Sequence, residues 1–268
     1  FVFGGWCAMN VKLNMLLSEQ EFVDDFFVAG SSADESLSIG ACYAANLSRQ
    51  IENHPLENLY LGPAPTSEEV CRFLSENKLA DHYRLQLSFG NDQVADLLVR
   101  GEVVACLRGK MEFGARALGN RSILANPSRP GVIKEINEMI KSRDFWMPFA
   151  LTVLDVDVPK YLHNPKGLES RYMATCLRAK PDFLHEIKAG THPYDDTVRP
   201  HILTRDQNSA YYDLISSFRK ETGVGAILNT SLNLHGHPMV NTPAEGLHVL
   251  ENSGLKHLLL EDTLISKP

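Results

Sequence analysis

Gly109-Lys110-Met111-Glu112-Phe113-Gly114-Ala115-Arg116-Ala117-Leu118-Gly119-Asn120-Arg121-Ser122 is the stretch on which the reading of this chain turns. It sets three cations and one carboxylate among small residues, directly after the apolar run Val103 to Leu107. A charged surface helix alternates signs along one face and has no use for three glycines. Here glycine frees the backbone, while Arg116 and Arg121 offer planar forks that match phosphate oxygens. Each charge-assisted hydrogen bond of that kind contributes about 1.5–3 kcal/mol. The competing reading is a basic turn whose charges pair with local acids.

Outward from that stretch, helix and strand alternate. Asn91 caps a helix through Val99. Ile133, Ile136 and Ile140 share one helix face, with Lys134, Glu138 and Lys141 on the other. Phe149 to Leu154 reads as a strand, and Asn208 opens a helix built on Tyr211, Leu214, Ile215 and Phe218 that stops at Gly223. Val224 to Leu228 is a strand, Thr242-Pro243 opens a helix, and Leu258 to Ile265 closes with strand character. Upstream, residues 1–17 read as strand, Gly4-Gly5 turn and helix, and a second helix starts at Asp34. Prolines 55, 63 and 65 break the chain before Thr66 and Glu69, a capping box for a helix to about Asn77. The pattern weakens between Lys78 and Asn91, which places a domain boundary at residues 85–90. The whole is mixed α/β.

Several polar residues sit where elements end. Lys141 and Arg143 follow the isoleucine-faced helix, where cations suit its dipole whether or not they bind a ligand. Arg199 reads equally as a ligand contact or a surface residue. Asn229-Thr230-Ser231-Leu232-Asn233, at the end of a strand, suits either a ligand-binding loop or a self-capping turn. Gly4-Gly5 lets backbone N–H groups approach a phosphate, with Asn10 and Asn14 on one helix face, but serves as well for a plain packing joint. His192, His201, His235 and His237 read as surface or satisfied core residues.

The formal net charge of −7 argues against nonspecific nucleic-acid binding. No apolar run approaches the ~20 residues of a membrane span. Five scattered cysteines without a CxxC pair fit free thiols in a reducing, cytoplasmic setting. The start at Phe1-Val2-Phe3, with no initiator Met and no signal pattern, points to a piece of a longer chain.

Taken in order, these segments resemble the carbamoyltransferase family of nodulation proteins and antibiotic-tailoring O-carbamoyltransferases, the 109–122 stretch most closely. Lys141-Ser-Arg143 with Pro148-Phe149-Ala150, Asp195-Asp-Thr197-Val-Arg199 and Asn229-Thr-Ser231-Leu-Asn233 fall where that family has similar pieces. The resemblance implies two units. Residues 1–88 would be the C-terminal remnant of an actin-like, sugar-kinase-superfold domain similar to tRNA threonylcarbamoyl transferases, and residues 89–268 a YrdC-like mixed α/β domain. The second forms carbamoyl-adenylate from carbamoyl phosphate and ATP, and the first passes the carbamoyl group to a small-molecule hydroxyl acceptor, a sugar or natural product, at a metal-assisted site.

By the same resemblance Gly4, Gly5 and Asn10 contact nucleotide, and Asp34 ligates iron with histidines supplied from outside this chain. Lys110, Arg116, Arg121, Lys141 and Arg143 act on the phosphates, with Mg2+ accompanying ATP. Glu112, Ser122, Arg199, Asn229, Ser231 and Asn233 complete the donor site. Four positions depart from the family pattern: Met147 stands for an arginine, Leu151 for a proline, Asp196 for a glycine and His201 for a glutamine. Besides the enzyme, the sequence leaves open a non-catalytic nucleotide- or anion-binding module and a sugar-kinase-like phosphotransferase.

Overall fold

The structure, a computed structural model, describes residues 1–142, 144 and 147–268. A short parallel pair, β1 (Val2–Phe3) and β2 (Phe27–Val28), flanks α1 (Val11–Ser18), and α2 (Leu37–Ser48) follows. This N-terminal portion closes over a small core of Ala8, Val23, Phe26 and Val28. Asp34 begins a single 3-10 turn rather than the helix itself, which starts at Leu37.

Next come α3 (Ser67–Glu76), β3 (Arg84–Gln86), α4 (Asn91–Val99), β4 (Val104–Leu107), β5 (Arg121–Ala125), α5 (Val132–Ile136) and β6 (Ala150–Leu154). After α6 (Val158–Tyr161), the strands β7 (Leu162–His163), β8 (Leu177–Ala179) and β9 (Thr197–Val198) make a small antiparallel sheet. The chain ends with β10 (Pro200–Leu203), α7 (Ser209–Thr222), β11 (Ala226–Ser231), α8 (Pro243–Glu251), β12 (His257–Leu260) and β13 (Thr263–Ser266).

Eight of these strands form the main sheet, in the order β10-β6-β11-β5-β4-β12-β13-β3. The pairs β10–β6 and β12–β4 are parallel and the rest antiparallel, so the sheet is mixed. β4, β5 and β6 are buried at every residue, as strands covered on both faces are. α8 lies close on β4: a Cβ on Gly246 would come within 2.9 Å of Leu107. α4 and α7 run together, tied by Asn91 to the Ala210 carbonyl at 3.0 Å and Ser217 to Asp92 at 2.6 Å.

Packing reaches upstream of residue 88. Val70 and Leu79 enter the main core, and β3 extends the sheet beside β13. The stretch between α2 and α3 connects the N-terminal portion to this body. Part of it, Leu59 to Pro63, straps across the 109–122 loop: Phe113 N–H donates to Leu59 O at 2.7 Å, Gly62 N–H to Met111 O at 2.9 Å, and Met111 N–H to Pro63 O at 2.9 Å.

Three further differences from the sequence reading bear on the site. β11 runs on to Ser231, because Asn229, Thr230 and Ser231 keep register with Leu124, Ile123 and Ser122. Leu258–Ile265 is a hairpin turning at Glu261, whose φ is +51°. α5 widens into a π-helical turn, Asn137–Lys141, which carries Lys141 inward beside Ile140 instead of leaving it on the polar face.

Candidate active site

The sheet topology gathers most of the singled-out residues at one end. β11 and β4 finish there, while β5, β6 and β10 begin there. Arg121 and Ser122 start β5, Asn229 and Ser231 end β11, Arg199 immediately precedes β10, and the 109–120 loop folds over the edge they make.

That loop is built inward. The Glu112 carboxylate lies inside it, with Oε1 accepting the N–H groups of Leu118 at 2.7 Å, Asn120 at 2.8 Å and Arg121 at 3.2 Å. Burial pushes this carboxyl above its ordinary range, against the pull of those amide bonds. The fully buried Arg121 does not direct its fork at solvent. Nη1 donates to the carbonyls of Arg108, Gly109 and Asn120 at 3.1–3.2 Å, and Nη2 to that of Pro63 at 3.3 Å. Gly119 must be glycine twice over: its φ is +116°, and an added Cβ would lie 2.3 Å from the Tyr211 ring. Gly114, at φ +96°, packs on Ser31 in the same way. Ser122 Oγ accepts the Gly119 N–H at 3.0 Å.

Lys141 reaches the same edge from the π turn. Its ammonium sits 2.6 Å from the Ser231 carbonyl and 2.6 Å from Asn233 Oδ1, with the Asn233 carbonyl at 3.2 Å. Ser231 pairs with Ser122 across β11 and β5, so this cation lies one strand from the Arg121 loop. Asn229 is buried between the Ala117 carbonyl, 3.2 Å away, and Thr152 Oγ1 at 3.0 Å. Thr152 also meets His201 Nδ1 at 3.3 Å. Burial drives the His201 imidazole down to about 3.

Two cations of the loop face differently. Lys110 is exposed and engages the frame only through its carbonyl, which accepts from Asn120 at 2.7 Å. Arg116 is half-buried beside Met9, Ser31 and Ser32, with no hydrogen bond or ion pair among the described residues. Burial lowers its guanidinium from the ordinary value. A cation drawn out of water without a carboxylate fits an anionic ligand. Arg199 is half-buried at the mouth of β10, and Arg143 lies outside the described residues.

The N-terminal candidates stand apart from this edge. Gly5, at φ +81°, opens the 3-10 turn Trp6–Met9. No side chain crowds Gly4 or Gly5. Asn10 is spent as the N-cap of α1, accepting Leu13 N–H at 3.0 Å, and Asn14 donates inward to Ala8 and Ala174 carbonyls. Asp34 accepts the Trp6 indole N–H at 3.2 Å. Among the described residues no three His, Cys, Asp or Glu side chains come together, so these residues by themselves do not make an iron site.

Against known sequences, the model of a family described as the carbamoyltransferase C-terminus matches residues 95–267. The chain belongs to this carbamoyltransferase family. Uncharacterized protein MJ1051 of Methanocaldococcus jannaschii is 36% identical over 99% of this chain and 50% of its own length. Nodulation protein NolO of Bradyrhizobium diazoefficiens is 32% identical over 98% of this chain and 48% of its own. The 3'-hydroxymethylcephem-O-carbamoyltransferase of Amycolatopsis lactamdurans is 27% identical, again over 98% and 48%. The chain thus spans about half the length of the curated relatives it matches. Among the described residues no helix is long and apolar enough to cross a membrane.

Some parts of the site needed the fold to find. The strap Leu59–Pro63, Tyr60 donating to the Leu118 carbonyl at 2.7 Å, and Asn208 donating to Asn120 at 2.9 Å all hold the loop from distant sequence. The only sequence signal among them is Asn208, legible as the cap of α7.

Proposed function

We propose that this chain is the donor-activating part of an ATP-dependent O-carbamoyltransferase. The observation that carries the reading is Arg116: a half-buried guanidinium without an acid partner, on a glycine-rich loop pinned at the edge of the main sheet. Family membership supports the same chemistry. Carbamoyl phosphate loses inorganic phosphate to water; a carbamate oxygen attacks the α-phosphorus of ATP; and pyrophosphate leaves, giving carbamoyl-adenylate. The acceptor hydroxyl then takes the carbamoyl group and releases AMP.

Roles divide by what each side chain already touches. Lys110 and Arg116 face the donor phosphates and neutralise charge as it shifts to the leaving pyrophosphate, and Arg199 is assigned to the same phosphates by the family resemblance alone. Arg121 and Glu112 set the loop's shape, and Lys141 fixes the end of β11 so that Ser231 and Asn233 present a constant polar edge. Gly4 and Gly5 leave backbone N–H groups open for a nucleotide on the N-terminal side. The division into an actin-like remnant, residues 1–88, and a YrdC-like body, residues 89–268, belongs to this reading. No step is routed through iron or Mg2+.

The test mixes the chain with ATP and carbamoyl phosphate and follows pyrophosphate. Release that requires both substrates is expected; none above background, with the fold intact by circular dichroism, removes the proposal.

A further inference from the structure

A cavity of about 1130 Å3 lies beside α2, lined by the acids Asp25, Glu57, Glu169 and Asp206, and among the described residues none of the 109–122 loop enters its walls. Glu261, by contrast, reaches that loop from the C-terminal hairpin. β12 and β13 are joined by two residues, Glu261 and Asp262, since Leu260 pairs with Thr263. The first of the two sits at φ +51°, a conformation that two-residue hairpins give to glycine or asparagine. Glutamate is a poor choice there for the turn alone, and its contacts lie outside the hairpin.

Glu261 grips the chain on both sides of Arg108. Its N–H donates to the Leu107 carbonyl at 3.0 Å, and its Oε1 accepts the Gly109 N–H at 2.8 Å. Arg121 Nη1 donates to the Gly109 carbonyl at 3.1 Å, so Gly109, at φ +62°, is held at both its N–H and its carbonyl. Lys110 follows at once. Its carbonyl accepts from Asn120 Nδ2 at 2.7 Å, and the Met111 N–H donates to the Pro63 carbonyl at 2.9 Å. The backbone under Lys110 is therefore fixed on both sides while its side chain stays exposed. Burial pushes the Glu261 carboxyl above its ordinary range, against the pull of the Gly109 amide and the Arg108 and Arg121 guanidiniums. A hairpin turn by itself does not require a charge held partly out of water.

We infer that Glu261 is a positioning residue of the donor site, which by gripping Gly109 sets the direction of the Lys110 ammonium. The inference rests on the reading of Lys110 as a cation facing the donor phosphates, but it is measured without turnover. Isothermal titration of the whole chain with inorganic pyrophosphate is the experiment, and the sign of the change is diagnostic. A carboxylate that is only a neighbour repels the anion, so removing it tightens binding. One that positions Lys110 does the opposite. Glu261→Gly suits the left-handed turn and loses the grip, so pyrophosphate should bind about tenfold weaker. Glu261→Gln keeps an oxygen for the Gly109 N–H without the charge, and should bind at least as tightly as the parent. Lys110→Ala should also weaken binding about tenfold, and adding Glu261→Gly to it should weaken it no further. Glu261→Asn, which favours the same turn with a side chain too short for Gly109, replaces glycine if the hairpin loosens. Equal or tighter binding in Glu261→Gly, Glu261→Gln no better than Glu261→Gly, or losses that multiply in the double variant overturns the inference. So does unchanged binding in Lys110→Ala, or no pyrophosphate binding by the parent. Absence of pyrophosphate release from ATP and carbamoyl phosphate would remove the proposed reaction and leave this titration readable, and a failed titration leaves the reaction standing.

Discussion

The loop at the sheet end and the cavity beside α2 are both lined with charge, yet they use it in opposite ways. In the loop, Glu112 and Arg121 are desolvated and held by backbone groups, three amides on Glu112 Oε1 and four carbonyls on the Arg121 fork, while Glu112 Oε2 and Arg121 Nε have no partner among the described residues. In the cavity, the carboxylates of Glu57 and Asp25 remain exposed and make no ion pair among the described residues. Buried charge left unpaired is costly, so the first region can only be a frame whose polar groups were assigned when the chain folded. Exposed charge costs little and stays available to an incoming molecule. The signature of a site is therefore not its density of charged residues but the few that the frame leaves unassigned, and Arg116 is such a residue.

The strongest way to break this contrast is Arg121→Ala. Removing the guanidinium takes a donor from four carbonyls, of which those of Pro63 and Asn120 keep a backbone N–H, and strips Glu112 and Glu261 of their nearby cation, which should cost about 3–5 kcal/mol. Urea unfolding measures it. A loss under about 1 kcal/mol would mean that Arg121 is not holding the loop, and would return it to the list of ligand-facing cations.

Arg116→Ala sharpens the other side. Its side chain makes no bond within the described residues, so stability should stay within about 0.5 kcal/mol, while pyrophosphate release should fall roughly 100-fold, the usual loss for one electrostatic contact to a transition state. Arg116→Lys should recover part of the rate by restoring charge without the fork. If stability falls and the rate does not, the assignment of Arg116 to the donor is wrong.

Much of this arrangement was legible in local sequence. The capping box Thr66–Glu69, the cap at Asn208 and the stop at Gly223 are all in place, because each depends on contacts within one turn. The peculiarity of 109–122 was legible too, since three glycines among cations need a cause. What each cation touches was not. Arg121 and Arg116 look alike in sequence, and only the arrival of Pro63 from 58 residues upstream decides that one is sealed in and the other left half-open. Local sequence ends β11 at Leu228 because Asn229 and Ser231 are poor strand formers, and pairing with β5 and β6 overrides that preference. The acid-lined cavity was not readable, as its walls come from five separated segments.

The buried frame should also give the protein a pH dependence that the exposed cavity cannot. His201 is sealed against Thr152, its ring stacked on Tyr211 at 6.4 Å, and burial holds it near 3 when folded. Above the unfolded value of about 6.5 neither state carries the proton, and His201 contributes nothing to pH dependence. As pH falls below that value the unfolded chain gains a proton that the folded one refuses, so stability declines by about 1.4 kcal/mol per unit until the folded value is reached. Between pH 6.5 and 5 that amounts to about 2 kcal/mol. His201→Gln keeps a polar group for Thr152 but cannot titrate, so its stability should be flatter over this range by that amount. Urea unfolding of both proteins at pH 7 and pH 5 reads the difference. Parallel losses would place the acid sensitivity elsewhere and leave the Thr152–His201 contact as packing alone.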